Sequence, residues 1–74
     1  MAEIVLRVRL ITGDSLDVAY EETDTPDAGE VAKHAITALA DDSGVIRVRH
    51  GNRVVALYGR GVAALELAPR GAVL

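Results

Sequence analysis

Cysteine, phenylalanine and tryptophan are absent from these 74 residues, and Lys33 is the only lysine. Without cysteine there is no disulfide framework and no thiol chemistry, and two histidines alone are a poor donor set for a structural zinc. No cofactor and no metal is expected. Tyr20 and Tyr58 are the only aromatic residues, so the core must be built from Val, Leu, Ile and Ala. A chain of this length buries only about 60% of its unfolded surface, and aliphatic side chains alone give that core little bulk. Self-association, including a homodimer, is one way to make up the shortfall. Long apolar runs are missing too: none approaches the ~20 residues of a membrane span. Met1-Ala2-Glu3 leads directly into a strand-like segment, with no basic stretch ahead of a cleavage site. A cytoplasmic setting without a membrane partner is expected. The formal net charge is −3, which argues against long-range attraction to nucleic acid.

What the chain does have is one strong helical pattern set among β-branched runs. From Asp27 to Ala40 the apolar residues Ala28, Val31, Ala32, Ala35, Ile36 and Leu39 recur at helical spacing and form one face. Its start is signalled twice: Thr25 can cap with Pro26 at the first helical position, or Asp27 can cap with Glu30 three residues on. The acidic run Glu21 to Asp27 is read as capping and solubility, because it lacks the alternating oxygen ligands of a calcium loop. Asp41-Asp42-Ser43-Gly44 ends the helix, with Gly44 suited to the left-handed position after it.

Before the helix, Ile4, Leu6, Val8 and Leu10 alternate with Val5, Arg7, Arg9 and Ile11, and after the turn Thr12-Gly13-Asp14-Ser15 the residues Leu16, Val18 and Tyr20 continue the apolar face. After the helix, Val45–His50 and Arg53–Tyr58 flank Gly51-Asn52, a dipeptide for a tight hairpin turn. That turn sets His50 opposite Arg53, Val48 opposite Val55 and Ile46 opposite Leu57. Gly59-Arg60-Gly61 reads as a plain turn. Val62 to Leu67 is a fifth strand, with Ala63, Leu65 and Leu67 on one side and Val62, Ala64 and Glu66 on the other, and Pro69 stops it. The fold class is α+β: a single helix packed on a mainly antiparallel sheet in the order β-β-α-β-β-β. One way to connect it is a β-grasp arrangement, in which the first and last strands pair in parallel at the centre. Residues 1–69 form the one domain, and 70–74 are a tail that frays unless something holds it.

No catalytic constellation emerges. Ser15 and Ser43 sit in turns where capping accounts for them, no G-x-S-x-G or phosphate-loop motif is present, and nothing brings His34 or His50 to a nucleophile. His34, Asp41 and Asp42 are the one set that could meet a metal at the helix end, and the polar run there serves to stop the helix. The sheet face away from the helix is more informative. Arg7, Arg9, Arg47 and Arg49 project from it beside Tyr58 and the carboxylates Glu3, Asp17 and Glu21. Cross-strand ion pairs explain this pattern without a ligand, each worth ~0–1 kcal/mol. Arg7, Arg9, Arg47, Arg49 and Tyr58 are also the candidate partner-binding residues, for an acidic protein or a phosphate backbone, although one aromatic falls short of a stacking platform for nucleic acid.

The stretch from Asp27 to Pro69, ending in the strand VAALEL, resembles a family of short actinobacterial proteins of unknown function that share a helix, a Gly-initiated strand and a Gly-containing hairpin turn. Where that family has a proline-containing loop after the hairpin, this chain has Tyr58-Gly59-Arg60-Gly61. The resemblance implies a cytoplasmic actinobacterial or actinophage source and no activity. The element order is also similar to that of ubiquitin-like proteins, and Arg70-Gly71 precedes three terminal residues. Those proteins act through a terminal Gly-Gly, whereas Gly71 is followed here by Ala72. The expected function is a small non-enzymatic interaction or self-associating module. Anion or nucleic-acid binding through the arginine face is the alternative, an enzyme comes third, and a ubiquitin-like carrier stands behind these.

Overall fold

The computed structural model describes residues 2–74. Strands β1 (Ala2–Leu10) and β2 (Ser15–Glu22) are followed by helix α1 (Ala28–Leu39) and by β3 (Val45–His50), β4 (Arg53–Tyr58) and β5 (Val62–Leu67). The strands form one sheet in the spatial order β4-β3-β2-β1-β5, antiparallel throughout. The α+β class and element order are as expected. The β-grasp connection is not: β1 and β5 are neighbours, but they run antiparallel and β5 lies at an edge.

The link before β5 shapes the whole sheet. β4 and β5 occupy opposite edges, yet only Gly59–Gly61, one turn of 3-10 helix, joins them. Four strand spacings of about 4.8 Å would set flat edges about 19 Å apart. From Tyr58 to Val62 the chain spans at most about 14 Å even when extended. The sheet must therefore coil, in the direction its right-handed strand twist favours. Two backbone hydrogen bonds tie the link down: Gly59 N–H donates to the Gly44 carbonyl at 2.9 Å, and Ile11 N–H donates to the Gly61 carbonyl at 3.1 Å. Coiling thins the ladder between β2 and β3, where Ala19 opposite Arg49 is the one registered pair.

Helix α1 fills the concave side. Asp27 is the N-cap, its carboxylate accepting the Gly29 N–H at 2.8 Å, so Thr25 and Pro26 lie outside the helix. Val31, Ala35 and Leu39 are buried, and Ala35 and Leu39 share one core with Leu6, Val8, Val18, Ile46, Val48 and Leu57. Full burial of a valine or leucine contributes roughly 1.5–3 kcal/mol, so this aliphatic cluster is the main stabilising element. The apolar stripe read from the sequence is wider than the surface beneath it. Ala28 is exposed and Ile36 is 47% exposed.

The β3–β4 hairpin has the expected register, with His50 opposite Arg53, Val48 opposite Val55 and Ile46 opposite Leu57, and Gly51 takes a positive φ of 62°. β5 departs from simple alternation. Ala64 pairs with Arg9 but Val62 pairs with Leu10, a β-bulge that sets one extra residue, Ala63, in β5. The bulge turns Val62 to the core side, where it and Leu65 pack against the core.

Gly44 and Gly59 are needed for space. Gly44 does not take the left-handed conformation expected of it; a Cβ there would instead lie 1.7 Å from the Ala38 carbonyl oxygen. At Gly59 a Cβ would lie 2.0 Å from the Asp41 carbonyl oxygen and 2.6 Å from that of Leu39, whereas at Gly61 it would meet nothing within 4 Å. Gly59→Ala should cost about 3 kcal/mol and lower Tm by on the order of 15 °C, while Gly61→Ala should stay within about 0.5 kcal/mol. Urea and thermal unfolding of the two variants measure this, and equal effects would contradict the close approach of the link to the helix end.

Candidate functional site

Arg7 and Asp17 stand directly opposite each other on β1 and β2, and their side chains form a two-pronged ion pair: Nε to Oδ1 at 2.8 Å and Nη2 to Oδ2 at 3.2 Å. The same two residues hold the C-terminal tail. Arg7 Nη2 donates to the Arg70 carbonyl at 3.1 Å, and the Val73 N–H donates to Asp17 Oδ2 at 3.0 Å. The tail thus crosses the outer face of β1 and β2 and is tied there at two points. Gly71, within it, has a positive φ of 68°, which lets the chain turn back over the sheet. The Asp17 carboxylate is 11% exposed and is held below the ordinary carboxylate range, first by the Arg7 side chain and then by the Val73 N–H. Arg7 is correspondingly raised.

Of the other candidate residues, Arg9 shares two shallow depressions with Arg7, and the rest lie apart from that pair in the hydrogen bonding. Arg49 Nη2 meets Glu3 Oε2 at 2.8 Å. Arg9 and Arg47 form no ion pair with any described residue. Tyr58 lies on edge strand β4, with the Arg60 guanidinium stacked 4.6 Å from its ring centroid, a geometry that favours attraction between cation and ring. Because α1 and the core occupy the concave side, all five candidate residues lie on the convex one. The face is a row of separate ion pairs and isolated arginines.

Both histidines have structural partners. His50 Nδ1 lies 2.8 Å from the Asp17 carbonyl oxygen, so the ring satisfies a backbone acceptor beside the thin β2–β3 seam. His34 Nδ1 lies 2.6 Å from Glu22 Oε1, and the Tyr20 hydroxyl donates to Glu22 Oε2 at 2.9 Å. Glu22 is held below its ordinary value, chiefly by His34, and the Tyr20 phenol is raised by burial and then by Glu22. His34 therefore faces β2 and does not join Asp41 and Asp42 at the helix end. Among the described residues no group of three His, Asp or Glu side chains is placed to hold a metal ion, and no helix is long and apolar enough to cross a membrane.

A surface that alternation alone did not reveal lies between α1 and β5. An open depression of about 540 Å³ is lined by Ile36, Leu39, Ala40, Val62 and Leu65. A second of about 560 Å³ continues it past Leu67 to Ala28, Ala32 and Pro69. Along both, β5 pairs with β1 on one side only, so its other edge carries unpaired backbone N–H and C=O groups. The sequence signal for it is the apolar residues Ala28, Ala32 and Ile36 left over beside those the core needs.

Replacing Asp17 by Asn should release the tail and speed hydrogen exchange at the Val73 amide by about tenfold or more, with the sheet amides of β1 and β2 unaffected. In the native protein the folded-state pKa of Asp17 is depressed, so its contribution is complete above the ordinary aspartate pKa and is lost as pH falls through the lower folded value. The Val73 amide resonance, followed by NMR as pH is lowered, should shift with a midpoint below that of an unpaired aspartate. A midpoint in the ordinary range would contradict the tether.

No protein-family model matches the chain, and neither does any curated protein or solved structure.

Proposed function

We propose that this chain is a small non-enzymatic interaction module whose docking surface is the α1–β5 side, working in the cytoplasmic setting expected from the sequence. The observation that carries this reading is the meeting of an open strand edge with an apolar groove. Ile36 and Leu67, 47% and 48% exposed, flank an edge that has free hydrogen-bonding groups and no lysine, arginine or proline within β5 to blunt it. An added strand would find backbone partners along β5 and apolar contacts against α1, the usual combination in strand-addition recognition. The tail, tied over β1 and β2, leaves this edge open. A ubiquitin-like carrier would instead need the segment around Gly71 to be free.

Ile36→Glu tests the surface without touching the buried core. The variant should keep its stability within about 0.5 kcal/mol. Used as bait beside the native chain in an extract of the source cells, it should lose the partner, whether another protein or a further copy of the chain, that the native chain retains. Retention of every partner by the variant would remove the α1–β5 side from the reading.

A second reading is favoured by the patch on β3 and β4, where the unpaired Arg47 neighbours Tyr58 and its stacked Arg60. Cation and ring together suit a phosphate or a single-stranded nucleic acid. With a net charge of −3 this binding should be absent or confined to low salt. Fluorescence polarisation of a labelled oligonucleotide, read against salt concentration, should give no binding at 150 mM. Tight, steeply salt-dependent binding that Arg47→Glu and Arg60→Glu abolish would make this the better reading.

A further inference from the structure

We infer that the occupant of the β5 edge is a second copy of this chain, joined by antiparallel β5–β5 pairing about a two-fold axis at Leu65. This rests on the reading of the α1–β5 side as a docking surface and adds the partner and the register.

The register follows from the hydrogen-bond parity of the sheet. The Ala68 N–H donates to the Val5 carbonyl at 2.9 Å, and Leu6 pairs with Leu67, Arg7 with Glu66 and Val8 with Leu65. In an antiparallel ladder hydrogen-bonded pairs alternate with non-bonded ones, so Ala68, Glu66 and Ala64 direct their backbone groups toward β1. Leu65 and Leu67 direct theirs outward. Two copies of one edge related by a two-fold must match outward residues with outward residues. Centring the axis between Leu65 and Leu67 would place Glu66 directly opposite its own copy, which like-charge repulsion disfavours. Centring it on Leu65 sets Leu65 against Leu65 and Glu66 against Ala64, and the bulge at Ala63 ends the regular pairing beyond.

That second register is also the complementary one in charge. Ala64 is paired with Arg9 on β1, and the two residues line an open notch beside Glu66. Arg9 forms no ion pair with a described residue, and Glu66 has only a 4.0 Å contact with Arg7, whose Nε and Nη2 are taken by Asp17. In the pair of copies, Glu66 of one lies beside Ala64 of the other, across that small side chain from Arg9. The backbones are two strand spacings apart, about 10 Å, a distance the two long side chains close together. The two-fold makes this contact twice. On the opposite side of the joined sheet, Leu65 of one copy meets Leu65 of the other. Both α1 helices then lie on that side, with Ile36 along the seam, so apolar surface exposed in one copy is covered by its mate.

The test is molar mass by light scattering across a concentration series for the native chain, Arg9→Glu, Glu66→Arg and the double swap, with circular dichroism to check that each is folded. The native chain should be dimeric at high concentration. Each single reversal, by placing like charges together twice, should raise the dimer dissociation constant by about tenfold or more, and the double swap should return it to within about threefold of native. A native chain monomeric at every concentration would overturn the self-pairing, while loss of a different partner from Ile36→Glu would leave the docking surface standing. A dimer whose dissociation constant is indifferent to both reversals would overturn the register.

Discussion

Three residues joining opposite edges of the sheet are the constraint on which the rest of this structure depends. Gly59–Gly61 is too short to cross a flat five-stranded sheet, so the sheet coils, and coiling creates the concave side that α1 fills. The same closure brings Gly59 against the backbone at the end of α1 and joins the start of β3 to the end of β1 through the Gly44 and Gly61 carbonyls. A core without Phe or Trp is workable under these conditions, because a curled sheet surrounds small aliphatic side chains more completely than a flat one does. The thin β2–β3 seam accompanies that curvature, and His50 meets one of the carbonyls beside it.

Curvature also divides the surface into two kinds. On the convex face two of the arginines, Arg7 and Arg49, are engaged by carboxylates of the same chain. Arg7 is drawn further into structure by the tail, whose backbone completes the hydrogen bonding around the Arg7–Asp17 pair. On the side where α1 meets β5 the groups converge: apolar residues from the helix, the inward residues of β5 and the free edge line one continuous depression. A surface suited to association forms there because α1 covers only part of the concavity and β5 has a neighbour on one side only.

Local chemistry was legible wherever it acts over a few residues. The Gly51-Asn52 turn determines which residues of β3 and β4 oppose each other, since a two-residue hairpin has one register and a slip by one would turn every side chain to the wrong face. The inward set Leu6, Val8, Leu16 and Val18 follows in the same way from spacing, whereas spacing offers both Thr25 and Asp27 as the cap and the structure selects Asp27. Alternation puts Val62 on the outer face because a bulge is invisible to it, arising only where β5 must match β1 while leaving the short link. The position of Gly44 after the helix suggests conformational freedom, whereas its role is close packing against the Ala38 carbonyl, a contact that the chain order does not display.

The amino-acid sequence by itself determined the elements, their order, the core faces of β1 to β4 and the centre of the helix stripe, because these depend on periodicities of two and 3.6 residues and on turn and cap chemistry within a few positions. Only the tertiary structure decided the strand order, the antiparallel placement of β5 at an edge, the tethering of the tail by Arg7 and Asp17, and the pairing of Arg49 with Glu3. Those features depend on which distant segments meet. That is set by the length of a link measured against the width of a sheet, and by the curvature needed to reconcile the two.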